Sequence, residues 1–399
     1  MTSGATSGPL AGVRVVDLSI AGTGPYAVAV MADQGADVVK VERPGLGDIG
    51  RWVGTAVNGV SALYQMCNRG KRGIAVDLAH PEGRDLVRAL IERADVVVQN
   101  WRTGVAERLG LGYADVRRPE LIYLSISGFG PTGPYAPKGA YDTVIQAYGG
   151  VVANEADRTT GEPRAVGQVL ADKVTALTAV QAVTAALLAR ERGRGGQHIE
   201  LSMLDAVVSF MWIDSAGNEV LRDGDGSQPG SFAPPSTPMR FVDGWGVVTP
   251  VSDADFAGTC RALGVGGYDD PRVATIAERR RHRDVAGDLM RRCREAASRL
   301  TTEQAMARLD AERVPCGVVL GPAELVEDPH ARETGLFVEL DHPTAGRVRQ
   351  PRHPNVFHGT PAAVRGAAPA LGQHTDEVLA ELGVGPEATA DLRARGVVA

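Results

Sequence analysis

The chain has 399 residues, of which 44% are hydrophobic and 23% charged, with a net charge of −6. That is enough apolar material for two or more globular domains with a sizeable core. An acidic chain whose one basic cluster, Arg279 to Arg283, is short and helical in pattern excludes a nucleic-acid surface as the main business of the molecule. The four cysteines, Cys67, Cys260, Cys293 and Cys316, form no CxxC pair, which excludes a zinc ribbon or a disulfide framework. His353 and His358, five apart in a Pro-rich stretch, do not make a metal pair, and no metal is expected.

Met1 to Gly8 is small and polar, without the charged and apolar regions of a signal peptide. The apolar run Val174 to Ala189 falls short of the ~20 residues that span a bilayer. The expected location is the cytoplasm.

Val13 to Leu18 reads as a strand, broken by Gly22-Thr23-Gly24-Pro25, with helical composition from Tyr26 to Gln34 and a second strand over Ala36 to Val41. The alternation continues: helix from Pro81 to Ala94, strand Asp95 to Gln99, helix Val105 to Leu109, strand Leu121 to Ser127. Such βαβ repetition predicts an α/β fold with a doubly wound, mostly parallel sheet. Its ligand is expected at the carboxyl ends of the strands, among the loops Ala21 to Pro25, Glu42 to Asp48, Asn100 to Gly104 and Gly128 to Tyr141.

A long apolar helix is expected from Asp172, buried on nearly every side, with Asp172 as its cap. A strand over His198 to Met203 and a helix over Leu204 to Trp212 follow. Arg222 to Pro238 turns to Gly, Ser, Pro and Asp, the composition of a linker. Asp243-Gly244 signals a hairpin between Met239 and Pro250. Helices are expected over Asp255 to Leu263, Val273 to Leu289 and Thr302 to Glu312, and a strand over Val314 to Val319. The predicted division is therefore a large domain over 1–222, a smaller α+β domain over 223–321, and a return to the large domain over 322–399 that ends in an amphipathic helix, Gln373 to Leu382.

Gly22-Thr23-Gly24-Pro25-Tyr26-Ala27, with Glu42 twenty positions after Gly22, has the spacing of a dinucleotide fingerprint. Pro25 removes a backbone donor where a pyrophosphate needs one, and Arg43 supplies a cation beside Glu42, so a tight turn near a nucleotide-like ligand is the better reading. Asn68 to Gly73 packs Arg69, Lys71 and Arg72 into one loop, a pattern suited either to a solvated turn or to phosphates. Asn100-Trp101-Arg102-Thr103-Gly104, with Arg108 a turn later, offers an aromatic and cations at a strand end, suited either to core packing or to a purine. The Gly/Pro loop from Gly128 to Tyr135 delivers Tyr141 and Asp142 to the same sheet edge as Asp172.

Taken with Pro9 to Leu18, Gly35 to Gly45, Pro315-Cys316-Gly317 and Leu371 to Thr375, these stretches make the whole chain resemble the family III coenzyme A transferases, the formyl-CoA and carnitine CoA-transferases among them, and the related α-methylacyl-CoA racemases. The resemblance implies an interlocked homodimer whose protomers each have a Rossmann-like large domain and a smaller domain. It implies Asp172 as the catalytic carboxylate, and Tyr141, Asp142 and Gly128 in the substrate pocket. It carries coenzyme A contacts onto Ala21, Thr23, Arg43, Val76, Asn100, Trp101, Arg108 and Leu109. Where that family places a basic residue near the pyrophosphate this chain has Ala79, and Lys71 and Arg72 are expected to serve instead.

The implied activity moves CoA from an acyl-CoA thioester to a carboxylic acid through an aspartyl-CoA thioester, with coenzyme A as substrate and no resident cofactor. The alternatives are a 2-methylacyl-CoA racemase and a nucleotide-binding protein without chemistry. The related racemases use a histidine where this chain has Tyr141, and tyrosine is a poor base near neutral pH, which favours the transferase. The glycines Gly224, Gly226 and Gly230 are interrupted by Asp, Ser, Gln and Pro and do not form the glycine run with which some such transferases shield their intermediate.

Overall fold

The computed structural model describes residues 7–157, 159–224 and 237–399. Two compact units divide the chain, one formed by 1–232 with 335–399 and the other by 233–334. Gly226 and Gly230 of the expected linker lie outside the described residues.

The first unit is built on a six-stranded parallel sheet. Its elements begin β1 (Arg14–Asp17), α1 (Thr23–Asp33), β2 (Asp37–Glu42), α2 (Ala62–Asn68), β3 (Arg72–Ala75), α3 (Pro81–Glu92) and β4 (Val96–Gln99). They continue with α4 (Val105–Arg108), β5 (Ile122–Ser127), α5 (Asp142–Tyr148), α6 (Leu170–Ala189), β6 (His198–Ser202) and α7 (Met203–Ser215). The strand order is β3-β2-β1-β4-β5-β6. Val15 of β1 pairs with Val38 of β2 on one side and Val96 of β4 on the other, so the order reverses between β1 and β4. In sheets of this order the crevice at the reversal is where ligands bind.

The sequence produces this sheet because its strands are apolar at consecutive positions. Val15, Val96, Val98, Ile122 and Leu124 face one core with α1 and α6, while Val16, Val97 and Tyr123 face the other. A parallel sheet covered on both faces needs that pattern. The second core is closed by α3 and by the C-terminal segment, whose Val397 and Val398 are buried against it.

Helix α6 departs from expectation in three respects. It begins at Leu170, so Asp172 is its third residue and no cap, and its carboxylate bonds elsewhere. It runs 20 residues, which removes the length argument against a membrane span. It is not buried all round. Ala171, Thr175, Ala176, Ala179, Val180, Val183, Ala186 and Leu187 form a buried stripe against α1 and the sheet, whereas Leu177 and Leu188 are exposed. Gln181 and Thr184 are the polar residues among its exposed positions, and they share that face with Leu177 and Leu188, so the sequence marks its one-sided packing only weakly.

The second unit contains β7 (Met239–Arg240) and β8 (Trp245–Val248), antiparallel across the Asp243-Gly244 turn, then α8 (Asp253–Ala262), α9 (Ile276–Arg281), α10 (Arg283–Ala297), α11 (Thr302–Ala311) and β9 (Cys316–Val318). The helix expected over Val273 to Leu289 is two helices, separated by His282 with φ −113° and ψ 56°. Leu289, Cys293 and Ala297 commit α10 to the core, whereas α9 buries no residue, so nothing holds the two to one axis. Short helices at Pro322–Glu327 and Pro329–Glu333 end this unit.

The remainder of the first unit adds a hairpin, β10 (Phe337–His342) and β11 (Gly346–Pro351), then α12 (Thr375–Glu381) and α13 (Pro386–Ala394). The helix expected to be last is therefore followed by another, announced by Gly385 and by Pro386 at the first helical position. The packing of α6 makes a testable contrast. Val183→Ala, at a fully buried position, is expected to destabilise by about 2 kcal/mol, and Gln181→Ala on the outer face by less than about 0.5 kcal/mol, read from denaturant midpoints.

Candidate active site

The carboxyl ends of β1, β4 and β5 open onto a cavity of about 530 Å³ at the reversal of strand order. The turn after β1 contributes Ala21, Gly22 and Thr23; the segment after β4 contributes Asn100, Trp101, Arg102 and Arg108. The loop after β5 contributes Gly128, Lys138 and Tyr141; α6 contributes Asp172, and the start of α7 contributes Met203.

Asp172 sits in the first turn of α6, where the helix dipole favours negative charge. Its Oδ1 accepts a hydrogen bond from the Thr23 hydroxyl, itself buried. Its backbone N–H donates to Asp142 Oδ2 at 3.0 Å. Asp142 is fixed in turn by the Gln146 side chain, which also donates to the Gln168 carbonyl at 2.9 Å and accepts from the Val166 N–H at 3.0 Å. The entry to α6 is thus tied to α5 by one carboxylate and one amide. Gly22 lets the turn pass close to the acid, since a Cβ there would lie 2.7 Å from Asp172 Oδ2.

Burial raises the Asp172 pKa above the ordinary value, and the nearby charge of Asp142 pushes the same way; the Thr23 hydroxyl opposes both by bonding the carboxylate. The result is an acid that ionises late and, once ionised, is poorly solvated, which suits a nucleophile. Among the described residues Asp172 is the sole carboxylate lining the cavity, against three cations, Arg102, Arg108 and Lys138. Lys138 donates to the Tyr148 hydroxyl at 2.9 Å and stands 4.1 Å over the Tyr135 ring. Neither Arg102 nor Arg108 has a carboxylate partner among the described residues.

Eight of the residues expected from sequence therefore meet in one cavity: Asp172, Tyr141, Gly128, Ala21, Thr23, Asn100, Trp101 and Arg108. Asp142 stands behind Asp172 and holds its backbone. Arg43 is exposed, off the cavity lining. The side chains of Val76 and Leu109 pack into the second core, on the α3 face of the sheet.

Lys71 and Arg72 do not stand in for a phosphate ligand. Lys71 is buried and bonds Asp17 Oδ2 at 2.8 Å, the Pro25 carbonyl at 2.8 Å and Asn68 Oδ1 at 2.9 Å. Arg72 is engaged by Asp37, Glu377 and Glu381. The charge of Lys71 is taken up inside the fold and that of Arg72 by carboxylates at the surface. Asn100 also does more than line the cavity, because its amide accepts from the Ile20 N–H and donates to the Ile20 carbonyl, each at 2.8 Å. Lys138 and Met203 join the site without a motif to mark them; the one available signal for Lys138 is a lone lysine in a Gly/Pro loop.

Comparison with known proteins defines the class. The model of CoA-transferase family III matches residues 10–375. The chain is 34% identical to a succinate–glutarate CoA-transferase of Agrobacterium fabrum, over 94% of this chain and 96% of that one. It is 31% identical to a formyl-CoA:oxalate CoA-transferase of Rhodopseudomonas palustris, over 98% and 97%. A CaiB/BaiF family protein from Brucella suis superposes with a TM-score of 0.81 at 32% identity, covering 94% of this chain and 100% of that chain. A hypothetical protein from Mycobacterium tuberculosis does so with a TM-score of 0.79 at 27% identity, over 93% and 99%.

The chain belongs to CoA-transferase family III. It is an enzyme that moves coenzyme A from an acyl-CoA thioester to a carboxylic acid, and these relatives do not favour the racemase alternative.

Two outcomes test the electrostatics. The attacking carboxylate must be ionised, so kcat/KM is expected to fall on an acid limb lying above the ordinary aspartate range. Asp142→Asn, which removes the like charge, shifts that limb to lower pH, whereas Thr23→Val shifts it upward. The second outcome concerns stability. A carboxyl whose folded pKa is raised contributes stability at low pH that is lost as pH rises through the folded value. Asp172→Asn is therefore expected to raise the thermal midpoint at neutral pH, with the gain vanishing as pH falls below the limb.

Proposed function

We propose that the transfer runs through covalent intermediates on Asp172, and the observation that carries this is its placement as the one carboxylate among the described residues lining the cavity, bonded by Thr23 at the mouth of α1. One Asp172 oxygen attacks the thioester carbonyl of the donor; the C–S bond breaks and CoA leaves as thiolate, giving a mixed anhydride. The thiolate attacks Cγ of Asp172, expels the donor acid as carboxylate and leaves an aspartyl-CoA thioester. The acceptor carboxylate attacks the same Cγ and releases CoA thiolate. The thiolate then attacks the acceptor carbonyl, freeing the new acyl-CoA and the Asp172 carboxylate. No net proton is consumed, and each step breaks one bond to the Asp172 acyl carbon or to the transferred acyl carbon. Water must be kept from both activated species.

The three cations suit an anionic thioester and a second negative charge on the acid. Two relatives are named for acids that carry two carboxyls, succinate or glutarate and oxalate. We therefore assign dicarboxylic acids as the preferred acceptors, with Arg108 toward coenzyme A and Lys138 or Arg102 toward the distal carboxylate. The working form we propose is the interlocked homodimer of Rossmann-like protomers. Phe210, Trp212 and Ile213 of α7, with Leu221 beyond it, are exposed apolar side chains in need of a cover, Ile213 at 86%.

The test is chemical trapping. Incubation with acyl-CoA and then hydroxylamine is expected to convert Asp172 to a hydroxamate, located by peptide mass spectrometry. Asp172→Asn is expected to lower exchange by on the order of 10³-fold or more and to abolish the adduct. An unmodified Asp172 under turnover would falsify the route.

A further inference from the structure

The chemistry above makes no use of four charges that lie beneath the cavity floor. Asp17 at the end of β1, Lys40 in β2, Asp48 after β2 and Lys71 before β3 are 0%, 0%, 1% and 3% exposed. Lys71 Nζ meets Asp17 Oδ2 at 2.8 Å, and Lys40 Nζ meets Asp48 Oδ2 at 2.9 Å and Asp17 Oδ2 at 3.9 Å. The cluster is neutral overall. Burying such pairs is a poor way to stabilise a fold, because desolvation offsets most of what the pairing returns and apolar side chains of similar volume serve as well. Its bonds to the backbone explain it better.

Those bonds converge on the turn from Ser19 to Pro25. Lys40 Nζ donates to the Ser19 carbonyl at 2.8 Å, and Asp17 Oδ1 accepts from the Ser19 N–H at 2.9 Å. Asp48 Oδ1 accepts from the Ala21 N–H at 2.8 Å, and Lys71 Nζ donates to the Pro25 carbonyl at 2.8 Å. Within this frame Ala21 has φ +65°, a left-handed conformation that a residue with a side chain adopts only when its surroundings impose it. Two residues on, Thr23 donates to Asp172.

We propose that Asp17, Lys40, Asp48 and Lys71 are positioning residues for the exchange: a buried, charge-neutral frame that holds the strained turn so that the Thr23 hydroxyl meets the Asp172 carboxylate. The inference rests on Asp172 as nucleophile. The frame touches neither substrate nor Asp172 and acts through the backbone of the turn.

The paired replacement Lys40→Met with Asp48→Leu separates positioning from stability, because it leaves no uncompensated charge and keeps the Asp17–Lys71 pair. It is expected to melt within a few degrees of the parent chain, to lose kcat by about tenfold or more, and to change the KM for acyl-CoA by less than about threefold. Its acid limb moves to higher pH, since Asp172 loses the bond that favours its ionised form while Asp142, the other charge facing it, is untouched. Lys40→Met with Asp48→Asn, which likewise leaves no uncompensated charge but keeps an acceptor for the Ala21 N–H, recovers part of the rate. In a Thr23→Val background the paired replacement adds less than about twofold, because both act through one contact.

A paired variant with the parent's kcat and acid limb overturns the proposal. So does one that no longer folds, which would make the frame structural, or one whose loss is undiminished in the Thr23→Val background. Hydroxylamine trapping on the parent chain is run alongside. An Asp172 adduct there, with a fully active paired variant, removes the frame alone; no adduct removes the nucleophile on which it rests.

Discussion

One carboxylate is kept where its charge is costly, and a single hydroxyl offsets part of that cost. Asp172 is surrounded by protein and faces another acid, Asp142, so both burial and like charge resist its ionisation. The Thr23 bond works against them. A nucleophile in this balance gives up its proton later than an ordinary aspartate and, once ionised, is weakly solvated, a condition that favours attack on a thioester. A longer contact to Thr23 would push the acid's ionisation to still higher pH, and an open, solvated site would return it toward the ordinary aspartate.

The fold exists around this contact. Asp172 and Thr23 are 149 residues apart, and each stands in the first turn of its helix, α6 and α1. These two helices pack together over one face of the sheet, which brings their amino ends to the same edge. The reversal of strand order between β1 and β4 opens the crevice at that edge, and three loops furnish its walls. The sheet provides rigidity, the helix ends provide the direction of the dipoles, and Gly22 provides room for the acid to approach.

Much of this was legible in the sequence, for identifiable reasons. The strands of the sheet are runs such as Val15-Val16 and Val96-Val97-Val98, which nothing but a sheet buried on both faces explains well. Asp172, Thr23, Asn100 and Arg108 could be placed because whole motifs, not single residues, surround them. What stayed hidden depends on partners far along the chain. Lys71 and Arg72 looked available for phosphate, because a cation's sequence neighbours do not reveal the Asp17 or Glu377 that consumes it. Lys40 reads as an ordinary inward-or-outward position in Val38 to Val41, yet it is fully buried. The one-sided burial of α6 and the break at His282 were hidden likewise, since both follow from what packs alongside.

The central claim is that the oxygen atoms of Asp172 exchange with those of the acids it serves. If the acceptor carboxylate attacks Cγ of this residue and CoA thiolate then cleaves the anhydride at the acceptor carbonyl, the bridging oxygen stays with the aspartate. Acceptor acid labelled with ¹⁸O in its carboxylate, turned over once with acyl-CoA in unlabelled water, is therefore expected to leave one heavy oxygen in the peptide containing Asp172, found by tandem mass spectrometry. New acyl-CoA formed with that peptide entirely unlabelled would contradict the account.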